Sequence, residues 1–401
     1  MMKKKLITYG FGIVAAGLVA GSINASASYD DLLQVLEQNQ TLTGEQATAL
    51  REGIPPYTIR PASAAVKDVA IRGRVQTQFG YVHTDNDEGS SDYSTFEVRR
   101  ARIGLRGTLF ESVRAQLEAN LVPGSSLSMR SAFLQWREHQ PAYVKLGFDK
   151  PVYGYEENTS SAAILTIERS LVSNTLTPGA MNGLSVDGKL GMLSYGAGIY
   201  TDRANRNADG GDDYLFNGSV GLTLDHLLPE SKLGLRADYL SSDDSEGNFG
   251  GSFDDAMAVS LHVGHAAFDL RAEYMNGSSD SDNTDGFYVT PSVHLTEKLQ
   301  AVVRYEQASS DQARGLRAPS RYVRRVDDLA VRETTDADGD VIAKTDPQRG
   351  DDFQALYAGL NYYFAGNGHK LMLGIERAEL KNTDAGKLEA TTVMTAWRML
   401  F

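Results

Sequence analysis

From residue 69 onward, hydrophobic and polar residues alternate along the chain with a period of two. Val69, Ile71 and Val75 share one parity, whereas Arg72 and Arg74 lie on the other. A β-strand turns successive side chains to opposite faces, so each such stretch has one apolar and one solvated face. The pattern predicts sixteen strands, near residues 69–83, 94–110, 113–122, 127–138, 142–148, 182–190, 192–202, 214–225, 231–240, 253–264, 266–276, 286–295, 298–308, 351–364, 368–380 and 390–401.

The junctions between these strands alternate in length. The tight ones lie at 111–112, 140–141, 191, 228–230, 265, 296–297 and 366–368. The others are mostly longer and acidic, and include 84–93, 149–181, 241–252, 277–285, 309–350 and 381–389. An even number of strands, with short turns at one end and long loops at the other, is typical of outer-membrane barrels. We therefore predict an all-β fold, a 16-stranded antiparallel transmembrane β-barrel over 69–401; a soluble β-sandwich is the alternative, but it gives no reason for alternating loops.

The last strand ends on an aromatic residue, and its apolar positions alternate. Trp397, Met399 and Phe401 share one face, which resembles the C-terminal strand of outer-membrane barrels. Aromatic residues near strand ends suit the girdles at the two membrane interfaces. The candidates are Tyr81, Phe110, Phe148, Tyr200, Tyr239, Tyr274, Tyr305 and Phe364.

The N-terminus indicates the compartment. Three lysines precede an apolar stretch, and Ala25-Ser26-Ala27 follows it, so residues 1–27 are predicted to be a cleavable signal peptide. Residues 28–56 are predicted to form a short periplasmic helical segment, because apolar residues recur at helical spacing there and a capping box begins at Thr43. Residues 57–68, rich in proline, alanine and serine, are predicted to be a linker.

Composition agrees with an exported barrel. The chain has 401 residues, no cysteine and a formal charge of −13, and its mean hydropathy of −0.32 excludes a polytopic helical membrane protein. Removing residues 1–27 takes away three lysines and no acids, so the mature charge becomes −16. We expect the protein in the bacterial outer membrane, in contact with its lipid.

Four segments carry a resemblance to a known family. They are FEVRRARIGLRG at 96–107, VKLGFDKPVYG at 144–154, IERS at 167–170 and YYFAGNGHK at 362–370. With them, the chain over about 69–401 resembles the phosphate-selective porin O and P family. The resemblance implies a trimeric, sixteen-stranded porin whose inward-folded loops narrow the pore. The family's filter combines a ladder of arginines with a lysine cluster in inward loops; this chain departs from that pattern, since loop 149–181 has Lys150 alone.

A cluster of cations is predicted on the inward face of the early strands. Because neighbouring strands bring alternate side chains together, these residues form one positive patch, and guanidinium groups bind carboxylate or phosphate oxygens through forked donors. The predicted pore-lining, anion-binding residues are Arg72, Arg74, Arg100, Arg102, Arg106, Arg114 and Lys145.

Acidic residues leave two interpretations open. Glu156, Glu157 and Glu168 lie in loop 149–181 and are predicted constriction-loop acids, and Glu118 lies on the wall. Paired with the arginines, they would make an ordinary eyelet; without such pairing, the arginines would act as an anion filter. The arginine-rich loop 309–350 either adds to the filter or binds lipid phosphates.

These features predict a passive channel rather than an enzyme. We expect small hydrophilic solutes, preferentially anions such as phosphate, a homotrimer, and no cofactor, metal or nucleic-acid partner. The alternative is a barrel-anchored structural or adhesive surface protein, for which a charged lumen would have no use.

Overall fold

The chain forms a closed antiparallel barrel of sixteen strands, as predicted. The computed structural model describes residues 65–401 except 88, 139–140, 202–213, 226–230, 243–252, 280–281, 313–314, 319–321, 327–331, 336–340, 347 and 383–385. The predicted signal peptide, the helical segment 28–56 and linker residues 57–64 lie outside the described residues. Among the described residues, no helix is long and apolar enough to cross a membrane.

The barrel strands follow one another around the wall in chain order. They are β1 Val66–Asn86, β2 Gly89–Leu109, β3 Val113–Asn120, β4 Ser128–Trp136, β5 Ala142–Asp149, β6 Met181–Leu190, β7 Leu193–Thr201, β8 Tyr214–Thr223, β9 Ser231–Ser242, β10 Asp255–His265, β11 Phe268–Ser279, β12 Asp282–His294, β13 Leu299–Ser310, β18 Asp352–Ala365, β19 His369–Asn382 and β20 Gly386–Leu400.

Two long connections carry the remaining elements. The β5–β6 connection contains α1 Tyr155–Asn158 and α2 Leu171–Thr175. The connection from β13 to β18 contains β14 Leu316–Arg317, a 3-10 turn Val323–Arg325, β15 Arg332–Thr335, β16 Val341–Thr345 and β17 Arg349–Gly350. Within it, β14 pairs with β17 and β15 pairs with β16, so these strands form small sheets apart from the barrel.

The two faces of the barrel wall are inverted relative to a soluble protein. Large apolar side chains such as Leu146 and Trp397 are 61% and 53% exposed, whereas Gln76, Lys370 and Arg398 are fully buried. Exposed apolar residues in a continuous belt are costly in water but favourable in lipid. The alternation therefore places lipid outside and the polar side chains in the lumen, and the closed barrel excludes the β-sandwich.

Three predicted acidic loops are instead tight hairpins. The first two strands continue to Asn86 and Gly89, which face each other across the turn, so most of 84–93 is strand rather than loop. Likewise Ser279 pairs with Asp282, and Asn382 pairs with Gly386. The prediction failed because the apolar alternation ends where lipid ends, whereas the backbone ladder continues. There, polar pairs such as Tyr81 with Asp92 replace the apolar contacts.

Two smaller predictions also need correction. The first strand begins at Val66, so it includes residues 66–68 of the predicted linker. Tyr200, a predicted girdle residue, is 2% exposed and lies in the lumen, because Ile199 takes the lipid-facing position of that strand.

The barrel closes between its first and last strands. Arg74 to Asn86 of β1 pair with Leu388 to Leu400 of β20. Beyond that ladder, the Gly73 N–H donates to the Phe401 carbonyl at 2.6 Å, and the Phe401 N–H donates back at 3.1 Å. A Cβ on Gly73 would lie 2.1 Å from the Phe401 ring, so glycine is needed for this contact. The terminal residue therefore completes the seam.

Removing Phe401 should impair assembly of the barrel. The deletion removes both backbone hydrogen bonds to Gly73, each worth about 1 kcal/mol, together with the terminal aromatic ring. We expect less heat-modifiable, folded protein in outer-membrane fractions, both for the deletion and for Phe401→Ser. Phe401→Tyr keeps the ring and is the control. Normal heat-modifiable trimers from the serine variant would contradict the role given to the ring.

Trypsin added to intact cells should cut the connection between β13 and β18. The hairpin of β15 and β16 contains Arg332 and Lys344. It lies at the end of the barrel opposite the short β2–β3 and β4–β5 turns. Arg137, beside one of those turns, should remain uncut until the cells are lysed. Immunoblots with an N-terminal epitope would reveal the fragment size. Cleavage at Arg137 in intact cells, with the hairpin protected, would show the opposite orientation.

Candidate functional site

The inward faces of β1, β2 and β3 bring guanidinium groups together. Arg74 pairs directly with Arg102 across the strands. Like charges in such a position repel, so other groups must bind these two guanidinium groups to keep them in place. The structure thus places the early arginines in the lumen, as predicted, and on one patch.

Neutral amides, rather than acids, hold most of these arginines. Arg102 donates to Asn120 Oδ1 at 2.8 Å, and Arg106 donates to Gln116 Oε1 at 2.7 and 3.0 Å. Arg100, which is 6% exposed, donates to Gln76 Oε1 at 2.9 Å. Amide oxygens fix the orientation of a guanidinium without cancelling its charge. Glu118, an acid on β3, lies 3.5 Å from Arg102.

A β-bulge brings one further arginine into the lumen. The register moves from Gln76 opposite Arg100 to Thr77 opposite Val98, so Arg99 has no partner on β1. A bulge of this kind shifts the alternation by one residue and re-aims side chains. Arg99 consequently points inward as well as Arg100, and it binds Glu168 through two hydrogen bonds of 2.7 and 3.0 Å.

Glu168 is held in its charged form. Burial of the carboxyl favours the neutral form, but the paired guanidinium of Arg99 outweighs it, and the pKa of Glu168 lies well below its ordinary value. Glu168 therefore neutralises Arg99 but forms no ion pair with the other arginines of the patch.

Residues 150–180, the inner loop, fold into the barrel and face this patch. Between the loop and the wall of β1–β5 lies a cavity of about 590 Å³. On the loop side, Thr159, Ser160 and Ser161 line it, and Arg74 donates to Ser161 Oγ at 2.5 Å. The cavity-lining cations are Arg72, Arg74, Arg99, Arg100, Arg102, Arg106, Arg130, Lys145, Lys150 and Arg169. The lining carboxylates are Glu118, Asp149 and Glu157.

Ion pairs neutralise only part of this charge. Lys145 pairs with Asp149 at 2.8 Å. Glu157 contacts both Lys150 and Arg169. By contrast, the guanidinium groups of Arg72 and Arg130 make no hydrogen bond or ion pair with any residue that the structure describes. Ten cations against three carboxylates leave the cavity strongly positive.

Most of the predicted site residues meet in this cavity. Arg72, Arg74, Arg100, Arg102, Arg106, Lys145 and Glu157 line it, and Glu168 reaches its edge through Arg99.

Two predicted residues lie elsewhere. Arg114 lines a separate cavity of about 600 Å³ at the end with the tight turns, beside Arg137. The side chain of Glu156 is buried on the side of the inner loop away from the cavity, where it accepts hydrogen bonds from the N–H and hydroxyl of Ser170. It is therefore not a lining acid, because the helical turn of α1 points it away from Glu157.

The sequence patterns missed three lining arginines. Arg130 has the parity of the lipid-facing residues of its strand, but the register moves from Glu118 opposite Ser131 to Ala119 opposite Met129, and this second bulge turns Arg130 inward. Arg99 was likewise hidden by the bulge on β2, and Arg169 lies in a loop without periodicity. Among the described residues, no group of three or more His, Asp or Glu side chains is arranged to hold a metal ion.

A second segment enters the lumen from the β13–β18 connection. Tyr322 is fully buried, and its hydroxyl donates to Gln78 Oε1 at 3.0 Å and to Glu97 Oε1 at 3.2 Å. Arg325 donates to Glu97 Oε2 at 3.1 Å. Glu97 thereby has a cationic partner next to the arginine patch. Two other arginines of this arginine-rich connection, Arg314 and Arg321, lie outside the described residues.

Solved outer-membrane proteins share this architecture. OmpT of Vibrio cholerae without its loop L8 is 14% identical, with a TM-score of 0.56 over 84% of this chain and 100% of that chain. An anion-selective porin from Comamonas acidovorans is 13% identical, with a TM-score of 0.53 over 83% and 99%. OprB of Pseudomonas putida is 10% identical, with a TM-score of 0.55 over 82% and 94%. At these identities the likeness concerns the fold alone.

Sequence comparison identifies the family. No curated protein is similar enough in sequence to match the chain. The profile of phosphate-selective porin O and P, however, matches residues 69–398. This match covers nearly the whole barrel, including the arginine patch and the inner loop, so the chain belongs to the phosphate-selective porin O and P family of outer-membrane porins.

Proposed function

We propose that this channel conducts small hydrophilic solutes passively and prefers anions. The observation that carries the proposal is the cavity between the inner loop and β1–β5, where ten cations oppose three lining carboxylates and Glu168, the partner of Arg99. Neutral amides orient Arg100, Arg102 and Arg106, so these side chains keep their charge available to a passing solute.

The electrostatics of a narrow lumen support this preference. A charged cleft with low-dielectric walls focuses its field and raises the local concentration of counter-ions. The formal charge of −13 on the whole chain does not oppose it. Many of the acids lie outside the lumen, and exposed charges are largely screened beyond about 8–10 Å at physiological ionic strength.

The donor set favours oxyanions. Arginine presents a planar fork that matches carboxylate and phosphate oxygens, and the hydroxyl groups of Ser160 and Ser161 add neutral partners. A similarly folded porin from Comamonas acidovorans is anion-selective. Phosphate or a small carboxylate is accordingly the solute class that we propose.

Assembly and export belong to the same proposal. We propose a homotrimer in outer-membrane lipid, a state recorded for the similarly folded OmpT of Vibrio cholerae. Residues 1–27 would direct export as a cleaved signal peptide. Residues 28–56 would form a periplasmic helical segment, joined to the barrel by the linker that starts at residue 57, and would tether or help to trimerise the protein.

Reversing the charge of three lining arginines should reverse the selectivity. Arg72, Arg102 and Arg106 line the cavity without contacting the inner loop, so their replacement by Glu changes local charge by six units and leaves the lipid face intact. In planar bilayers with a salt gradient, we expect an anion-preferring wild type. The reversal potential of the triple variant should move by tens of millivolts toward cation selectivity.

A matched control changes the same charge outside the lumen. Arg377, Lys381 and Lys387 are exposed on β19 and β20, with 71%, 58% and 42% of their side-chain surfaces accessible. Their replacement by Glu should leave the reversal potential close to that of the wild type. A cation-selective wild type, hardly altered by the lumen variant, would mean that Glu118, Glu157 and Glu168 neutralise the patch. The protein would then be a general porin.

A further inference from the structure

The inner loop is held on its far side through its backbone. Five adjacent barrel strands, β13, β18, β19, β20 and β1, each send one polar side chain to residues 161–168. These five side chains, the donor row, are Arg304, Asn361, Lys370, Arg398 and Gln76. Every one of them donates to a carbonyl oxygen of the loop.

Two cations form the centre of this row. Lys370 and Arg398 face each other across β19 and β20 and are both fully buried. Lys370 Nζ donates to the Ile164 carbonyl at 2.9 Å, and Arg398 donates to the Ser161 carbonyl at 2.7 Å. Arg398 also contacts the Ile167 carbonyl. Buried donor groups in direct opposition are unfavourable unless acceptors compensate them, and the loop carbonyls supply those acceptors.

On both sides of segment 161–168, the loop is fixed by wall carboxylates, which accept hydrogen bonds from it. Glu273 on β11 accepts from the Tyr155 and Glu156 N–H groups at 2.5 and 3.2 Å. Glu306 on β13 accepts from the Leu171 N–H at 2.8 Å. Wall carboxylates thus bind the loop's N–H groups near the start of α1 and α2, and wall cations bind its carbonyls between them.

The position of the loop decides how much space remains in front of the arginine patch. Ser161 is held from both sides, since Arg398 binds its carbonyl and Arg74 donates to its hydroxyl. The cavity lies on the β1–β5 side of the loop, and four of the five strands of the donor row, β13, β18, β19 and β20, lie on its other side. The row binds mainly backbone carbonyls, and Arg304 and Gln76 also donate to the hydroxyls of Thr166 and Ser161.

We propose that Lys370 and Arg398 are positioning residues that keep the channel open by holding segment 161–168 against the far wall. The proposal rests on the proposed channel function. Without these donors, the segment loses its charged partners on β19 and β20, moves into the space in front of the arginines and obstructs it. The two residues touch no solute; they act through the loop.

The test replaces both donors with methionine, which preserves length without hydrogen-bonding capacity. In planar bilayers, we expect the Lys370→Met, Arg398→Met double variant to show frequent closures and about half of the wild-type mean conductance, because conductance follows the open cross-section. Arg398→Lys retains one donor and should be intermediate. Arg377→Met, an exposed residue of the same strand as Lys370, should match the wild type.

A second readout reports the loop itself and does not depend on conduction. The chain has no cysteine, so a single cysteine can replace Leu165, which is 7% exposed and whose carbonyl is bound by Asn361. A membrane-impermeant thiol reagent should modify it slowly in the wild-type background and much faster in the double variant. Lys370→Met alone, which removes one hydrogen bond, provides a milder variant should the double variant assemble poorly.

The outcomes separate the two proposals. Equal labelling rates and a steady conductance at or above the wild-type level, in assembled variants, would overturn the role of the donor row. A wild-type barrel that conducts no ions would overturn the channel function, whatever the labelling shows. Faster labelling together with frequent closures supports the inference.

Discussion

The backbone ladder between β1 and β20 is the constraint on which the rest of the structure depends. In lipid, an unpaired strand edge would leave N–H and C=O groups without partners, at a cost of several kcal/mol each. Closure removes both edges and extends to the terminal Phe401, which exchanges hydrogen bonds with Gly73. Only a closed wall has one face entirely toward lipid and another entirely toward a lumen, so closure is also what allows arginines to be buried.

The lumen holds its cations by two different means. Around the cavity, Gln76, Gln116 and Asn120 accept hydrogen bonds from arginines and leave the charge uncancelled. On the far wall, Arg304 pairs with Glu306 at 3.2 Å and also contacts Glu376. Buried ion pairs of the second kind are structural, because neither partner is available to a solute. Arginines on one wall therefore keep their charge exposed to the cavity, whereas Arg304 on the other wall is structural.

The sequence was sufficient for the barrel because lipid imposes a period of two. All sixteen predicted strands are confirmed, and Arg72, Arg74, Arg102 and Arg106 lie at inward positions beside the cavity. Strand ends were predicted less well, since beyond the membrane nothing requires apolar alternation and hairpins such as Asn86 with Gly89 continue on polar pairs.

The site was predictable only where the period holds. One bulge at Arg99 reverses the parity of β2, and no local sequence pattern predicts that bulge. The inner loop has no period, so Glu156 and Glu157, adjacent in sequence, could not be separated into one buried acid and one lining acid. The two side chains point in different directions because both lie on the single helical turn α1. That turn is fixed by Glu273, on a strand more than a hundred residues away.

This dependence on distant wall residues has a consequence for how the channel can vary. The wall recognises the inner loop mainly through carbonyl and N–H groups, which every sequence supplies. Ser160, whose side chain faces the cavity and is not bound by the donor row, is thus only weakly constrained by the hold on the loop. Substitutions there can change which solute passes while the loop keeps its place. Under the role that we propose for the donor row, substitutions in it would instead change whether any solute passes, although neither Lys370 nor Arg398 lines the cavity.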